Sequence, residues 1–186
     1  MRRGAIVLIG VWALAGCESG ETAEVLDFGG FGDEFFLILD ANAEGEIIAP
    51  SELPTAGSAT YEGVAIASTP EAGFAGNITL RADFEDNAIS GGISNIVDDL
   101  DQRFTGSLDV ENGVIDRDAI TTREYTYEAD LNGTLINSDN ETVRVDGFLA
   151  GDFIGTGAEA TAGIVGGSVT GPLGTETFEG GFIADR

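Results

Sequence analysis

The sequence contains no histidine and no lysine, and all eight of its basic residues are arginines. Without histidine the chain has no Ser-His-Asp or Cys-His nucleophile pair and no imidazole ligand for a metal. Without lysine it has no Schiff-base amine and no phosphate-loop cation. An enzyme made from this chain would have to use carboxylates alone. We therefore predict that the protein is not an enzyme and that it needs no cofactor or metal.

Cysteine is almost absent too, and the single one, Cys17, stands at a defined place near the N-terminus. Arg2 and Arg3 precede an apolar run at residues 5–14, and small residues follow, which is typical of a secretory signal. The run is too short to cross a bilayer as a helix. The stretch Leu-Ala-Gly-Cys at 14–17 looks like the lipobox of bacterial lipoproteins, whose cysteine is acylated, with palmitate among the acyl chains, and becomes the mature N-terminus.

The lipobox predicts a signal peptide at residues 1–16 and lipidation at Cys17. An ordinary signal peptide with an incidental cysteine is the alternative. Two or more acyl chains would attach the protein stably to a membrane. We expect it in the outer membrane, the periplasm or the cell surface of a Gram-negative bacterium. Glu18, directly after the cysteine, leaves the choice between inner and outer membrane open.

Negative charge dominates the chain, with 33 acidic residues and a formal net charge of −25. Removal of the signal would make the charge more negative, because that segment contains two arginines and no acid. Such a surface repels nucleic acid, which we exclude as a partner. The acidic run at 98–101 lacks the spacing of a calcium loop. We interpret it as a solvated turn.

Two parts of different composition follow the signal. Residues 17–58 are acidic and interrupted by glycine and proline, which predicts a lipidated tether or linker. The apolar stretch at 35–39 is the exception, and we expect it to dock on the folded domain as a short strand or turn. We find no convincing helical period after the signal. The folded domain is predicted to span residues 59–186.

From residue 59 onward, apolar and polar residues alternate with a period of two in many short segments, which is typical of half-buried antiparallel strands. Turn residues separate the segments, among them 85–87, Asn112-Gly113 and 137–140. Residues 114–121 could form a further short strand. Eight strands are predicted, at 59–67, 75–84, 88–96, 103–111, 124–136, 142–154, 162–170 and 176–184.

The strand count predicts an all-β fold, namely a soluble antiparallel eight-stranded up-and-down barrel. A sandwich is the alternative architecture. A membrane-spanning barrel would need an apolar outer band with aromatic girdles, whereas here the aromatic residues share a face with the aliphatic ones. Glycines recur on the face expected to point inward, where strands of a small barrel approach closely. These are Gly63, Gly106, Gly133, Gly147 and Gly180.

Two segments near the C-terminus, GDFIGTGAEATAG at 151–163 and FEGGFIADR at 178–186, resemble the barrel domains of transferrin-binding protein B. Residues 151–163 are similar to that family's Gly-x-Phe-Tyr-Gly-Pro signature, with Ile154 in place of tyrosine and Thr156 in place of proline. Residues 178–186 are similar to its closing segment, which ends in arginine. The broader group includes factor H binding protein and haemoglobin-receptor lipoproteins. The signature positions are Gly151, Phe153, Gly155, Ala158, Glu159, Gly163, Phe182 and Arg186.

The resemblance implies a barrel fold, a lipid anchor and a binding role rather than an activity. We expect the signature residues to be structural, with Phe153 and Phe182 in the core. The chain has a single barrel and no handle domain, so transferrin itself is not the expected ligand. The expected function is a lipid-anchored envelope module that binds an unknown protein or small solute, with a link to iron or haem acquisition as one form of it. A structural or shielding envelope lipoprotein without a ligand is the alternative.

Overall fold

The computed structural model describes residues 26–122 and 124–186. The predictions for the signal peptide and for Cys17 lie outside these residues. One α-helix, α1 (Phe28–Ala41), and a 3-10 turn at Pro50–Glu52 precede eight strands. The strands are β1 Ser58–Ser68, β2 Gly73–Asp83, β3 Ala88–Asp98, β4 Leu108–Ile115, β5 Tyr127–Ile136, β6 Thr142–Ile154, β7 Ala160–Gly171 and β8 Gly174–Asp185.

The eight strands form a closed antiparallel barrel in which neighbours along the chain are neighbours in the sheet. β8 closes it by pairing with β1, where Phe182 stands opposite Ala65. Each strand therefore has two partners, and the fold leaves no unpaired sheet edge. The predicted up-and-down barrel is confirmed, and the alternative sandwich is excluded. Within the described ranges, no helix is long and apolar enough to cross a membrane.

The two ends of the barrel differ, and we name them by their connections. The open end carries the turns at 69–72, 99–107, 137–141 and 172–173. The closed end carries the connections β2–β3, β4–β5 and β6–β7, together with the segment 42–57 that runs beneath them.

Large side chains inside the barrel face glycines on the neighbouring strands. Phe182 of β8 stands opposite Gly163 of β7, which in turn stands opposite Gly151 of β6. A Cβ atom on Gly151 would lie 2.8 Å from Cζ of Phe182, so the ring occupies the space that a side chain at 151 would need. Gly147 accommodates Phe178 in the same way, since a Cβ atom on Gly147 would lie 3.1 Å from Cζ of Phe178. The glycines make room for the rings.

Helix α1 contradicts the expectation that no helix follows the signal and that residues 35–39 dock as a strand or turn. Asp27 caps it, since its Oδ1 accepts a hydrogen bond of 2.7 Å from the amide of Gly30. The helix buries Phe31 and Ile38, and Phe31 packs on Val64, Ala75 and Val97 of the barrel.

The helical period of α1 was hidden in the sequence for two reasons. Gly29, Gly30 and Gly32 disfavour a helix, and Phe36 and Leu37 are apolar although they are exposed. The first turn of the helix lies at the open end, where the amide of Phe28 donates to Oδ1 of Asp101 over 2.9 Å.

The dipeptide Asn112-Gly113 corrects a second expectation. It does not form a hairpin turn, because β4 continues through it to Ile115 and the register shifts between Glu111 and Val114. This is a β-bulge, in which Asn112 adopts a positive φ of 55°. A Cβ on Gly113 would lie 2.4 Å from the carbonyl oxygen of Ile89, so glycine is required there.

The fourth strand is consequently displaced from its predicted position. It begins at Leu108 rather than at 103, and Gly106 lies in the loop before it. Of the further strand considered at 114–121, only the first two residues are in a strand, as the end of β4. The predicted turns at 85–87 and 137–140 do connect strands.

Candidate ligand-binding cavity

A cavity occupies the half of the barrel nearer the open end. The space that it offers to the centre of a water-sized sphere is about 80 Å³. Thr69 is the one polar residue among the residues that surround it. The others are Ala65, Ala67, Phe74, Ala75, Ile93, Ile96, Phe104, Leu108, Leu131, Leu135, Val143, Val145, Val165, Val169 and Phe178.

The cavity exists because small side chains meet across the strands at this level. Ala67 of β1 stands opposite Gly180 of β8, which stands opposite Val165 of β7. Neither Ala67 nor Gly180 carries a side chain that reaches the barrel axis. Since an eight-stranded barrel is just wide enough to be filled by side chains or to hold one small ligand, small residues on adjoining strands leave a void.

The mouth of the cavity is apolar and half-buried. Phe104, Val143, Val169 and Phe178 pack against the core while remaining partly exposed. Phe74 contacts Phe104 edge to face, with ring centroids 5.9 Å apart. Apolar side chains that line a concave opening are typical of sites for small apolar ligands.

A charged rim surrounds this mouth. Glu176 of β8 shares the inward face of its strand with Phe178 and stands opposite Val169, which lines the cavity. Exposed carboxylates also lie on the loops of the open end, while Arg103 and Arg144 are the arginines there. The loop acids are Glu71, Asp99, Asp101, Asp139 and Glu141.

Hydrogen bonds hold the loops of the open end in place. Ser138 donates to Oε1 of Gln102 over 2.9 Å and so links the β5–β6 turn to the β3–β4 loop. Oδ1 of Asp98 accepts from the amides of Leu100 and Gln102, at 3.0 and 2.8 Å. The mouth therefore has ordered walls without a binding partner, as a preformed site requires.

The opposite end of the barrel is closed by aromatic rings. Phe153 contacts Tyr127, Phe84 and Tyr61, with ring centroids 5.1, 5.5 and 5.9 Å apart. Burial raises the pKa of Tyr61 to about 12, although the charge of Arg186 lowers it in part. Burial also raises the pKa of Tyr127. Both phenols therefore stay neutral at physiological pH.

A buried polar network supports these rings. The Tyr127 hydroxyl is hydrogen-bonded to Oγ1 of Thr161, which donates to the carbonyl of Asp152 over 2.9 Å. Oδ1 of Asp152 accepts from the amide and the hydroxyl of Thr126, at 2.9 and 2.7 Å. Each of these buried groups has a partner, so the network adds rigidity rather than an unsatisfied charge.

Arg117 fastens the segment that covers the closed end. Its guanidinium donates to the carbonyls of Leu53, Pro54 and Phe84, at 3.1, 2.7 and 2.9 Å, and to Oδ1 of Asn87 at 2.6 Å. Leu53 is buried in the barrel core. The sequence offered no sign that this arginine differs from the others.

The signature residues lie at the closed end or in the wall that leads to it. Gly155 and Ala158 shape the β6–β7 turn, with φ of 77° and 61°. The Ala158 carbonyl accepts from the Tyr61 hydroxyl at 2.9 Å, and the Glu159 carbonyl accepts from the amide of Arg186 at 3.1 Å.

Arg186 also donates to the carbonyl of Gly157 over 3.0 Å. Phe153 and Phe182 are buried, and Gly151 and Gly163 face Phe182. Sequence reasoning found these residues because they form a motif. It missed the cavity, whose residues are scattered over all the strands and share no motif.

A wider depression lies outside the closed end, between residues 44–52 and the β6–β7 turn. Its walls carry the glutamates Glu44, Glu46, Glu52 and Glu159. In the part of the chain that the structure describes, no three His, Cys, Asp or Glu side chains are grouped so as to hold a metal ion.

No family model matches the chain, and no curated protein or solved structure matches it significantly.

Proposed function

We propose that this protein is a lipid-anchored binding module of the bacterial cell envelope, and that the cavity at its open end takes the apolar part of a small molecule. The observation that carries the proposal is the contrast within one barrel. One half is filled by aromatic rings, and the other half contains an apolar cavity with half-exposed apolar residues at its mouth. A barrel that served only as a scaffold would have no need of this difference.

The size of the cavity suits a short alkyl chain. About 10–15 Å³ of space of this kind holds one water molecule. By that measure, 80 Å³ has room for roughly five to eight waters, and a methylene group has about the bulk of a water. A chain of about five to eight carbons would therefore fill the cavity.

The place where α1 begins supports a position close to the membrane. Phe28 is fixed to Asp101 at the open end, and eight residues separate Leu26 from Cys17. Extended, this stretch spans about 30 Å. If Cys17 carries the anchor, the mouth of the cavity stays within that distance of the bilayer surface. The resemblance to the transferrin-binding protein B barrels, all of them lipoproteins, agrees with such an anchor.

Binding of octan-1-ol to the lipid-free domain, measured by calorimetry, tests the proposal. We expect saturable binding with one site per chain. Val169→Phe places a ring in the cavity and should abolish it, and Ala67→Leu should weaken it. Val114→Phe, a matched change on an exposed side chain outside the cavity, should leave it intact.

If the wild type fails to bind octan-1-ol, or if Val169→Phe and Ala67→Leu bind it as well as the wild type does, the cavity is not a binding site. A structural lipoprotein without a ligand would then be the better description.

A further inference from the structure

We infer that the ligand of this cavity is an amphiphile with a cationic head, and that the carboxylate of Glu176 pairs with that head at the mouth. The inference rests on the proposed function and adds the chemical class of the ligand. It starts from the position of Glu176, the residue at which the apolar inward face of β8 gives way to charge.

The alternation along β8 places the side chain of Glu176 on the inward face of the strand, next to residues that line the cavity. Phe178 lines the cavity, and Glu176, two residues earlier on the same strand, has its side chain on the same face. Its partner in β7 is Val169, which also lines the cavity. Apart from Thr69, the residues that line this half of the barrel are apolar, so an ionisable group beside them breaks the pattern.

The contacts of Glu176 leave its charge available. Among the residues that the structure describes, no hydrogen bond or ion pair engages this carboxylate. The side chain is half-exposed, so it keeps its hydration while nothing is bound. An alkyl chain in the cavity would bring its head group to the level at which Glu176 stands.

The surroundings favour a cation over an anion. Five exposed loop carboxylates share the open end with two arginines, Arg103 and Arg144. A formal net charge of −25 adds a long-range field of the same sign. An anionic head such as a carboxylate would meet repulsion from Glu176 and from the rim alike.

Three probes with similar alkyl tails and different head groups distinguish the contribution of the tail from that of the head group. They are octylammonium, octan-1-ol and octanoate. At about 10 mM salt we expect octylammonium to bind about tenfold more tightly than octanoate, with octan-1-ol between them. The difference should shrink toward about twofold near 0.5 M salt, where the charges are screened. Tetramethylammonium, which has the charge without the tail, should not bind in the cavity.

The decisive variants lie on opposite faces of one strand. Glu176→Gln should weaken octylammonium about two- to fivefold and leave octan-1-ol unchanged, as expected for loss of a half-exposed ion pair. Glu179→Gln removes the same charge from the outward face of β8 and should change neither. Both substitutions lie at solvent-accessible positions, and equal urea midpoints for the two variants and the wild type would show that the fold is kept.

Each other result overturns a different statement. If octan-1-ol binds while the three probes have equal affinities, the cationic head is wrong and the proposed function stands. If Glu179→Gln weakens octylammonium as much as Glu176→Gln does, net charge acts rather than Glu176. If octan-1-ol fails to bind, the proposed function itself fails, and the choice of head group fails with it.

Discussion

Replacing Phe182 by alanine should destabilise the barrel more than any surface change of equal size. The side chain is 1% exposed and is among the largest that the barrel buries completely. It lies over Gly163 and Gly151, which have no side chains that could move into the vacated space. The cavity left behind would therefore collapse only in part.

The expected cost is about 3–5 kcal/mol, the range for a buried phenylalanine replaced by alanine. We expect the upper part of that range because glycine backbone, held in the β ladder, surrounds the ring on one side. A domain of this size has a free energy of unfolding of about 5–15 kcal/mol. A single substitution would thus remove a large share of the stability.

Urea unfolding measures the effect. With an m-value of about 2 kcal/mol per molar urea, the midpoint should fall by about 2 M. Near-UV circular dichroism of the tyrosines reports the transition, since Tyr61 and Tyr127 are packed against Phe153. Phe148→Ala is the matched control, because that ring is 45% exposed. We expect its midpoint to move by less than about 0.5 M.

A shift for Phe182→Ala no larger than that for Phe148→Ala would refute the reasoning. It would mean that the strands move together and fill the space left by the ring, and that Gly151 and Gly163 are not needed to accommodate Phe182.

Three further results are expected. Arg117→Met should lower the free energy of unfolding, measured in urea, by about 2–3 kcal/mol, because three carbonyls lose a charged donor. Arg81→Met is the control. It breaks only an exposed ion pair of 3.3 Å and should lower the free energy of unfolding by less than about 1 kcal/mol. Stability should fall as the pH rises from about 10 to about 12. The lower limit is the pKa of an exposed tyrosine, and the upper limit is the pKa of Tyr61 in the folded protein. Between these two values the unfolded chain has released a proton that the native state retains. Tyr61→Phe should make that part of the pH profile less steep without removing the slope, because burial raises the pKa of Tyr127 as well, and an unchanged profile would contradict the assignment. Cys17→Ser should move the protein from the detergent phase to the aqueous phase, and equal partitioning of mutant and wild type would show that Cys17 is not the anchor.

The strands could be predicted because each carries its own evidence. In β5, for example, Tyr127, Ala129, Leu131 and Leu135 alternate with polar residues, and all four are buried. Alternation needs no knowledge of the partner strand. A count of eight such segments favours a barrel, because closure satisfies every edge, but it also fits a sandwich, which only the pairing of β1 with β8 excludes.

Other features depend on contacts with elements that are distant in the sequence, and the sequence alone did not reveal them. Asn112-Gly113 has the composition of a hairpin turn, yet β3 lies so close to Gly113 that the pair forms a bulge instead. Helix α1 is stabilised by the outer surface of the barrel, on which Phe31 is buried. In both cases a tertiary contact outweighs the local preference.

The cavity was hidden for a related reason. Ala67, Gly180 and Val165 are ordinary inward residues in their own strands, and they leave a void only because the register sets them side by side. The size of a void depends on the side-chain volumes of several neighbouring strands together, and the sequence of a single strand does not reveal it. The signature residues at the closed end were visible because they fall within two short segments, 151–163 and 178–186, although that half of the barrel is filled.

The two ends of the barrel differ in what a substitution can do. At the closed end, Phe153 contacts three other rings, so a change in volume there must strain or open the core. At the open end, the cavity can take up extra volume, because a larger side chain at Val169 extends into the cavity rather than into packed side chains. Filling mutations at the open end should therefore spare folding and remove binding, while deletions at the closed end should weaken folding first. This separation allows the binding proposal to be tested by substitution without confusing a lost site with a lost fold.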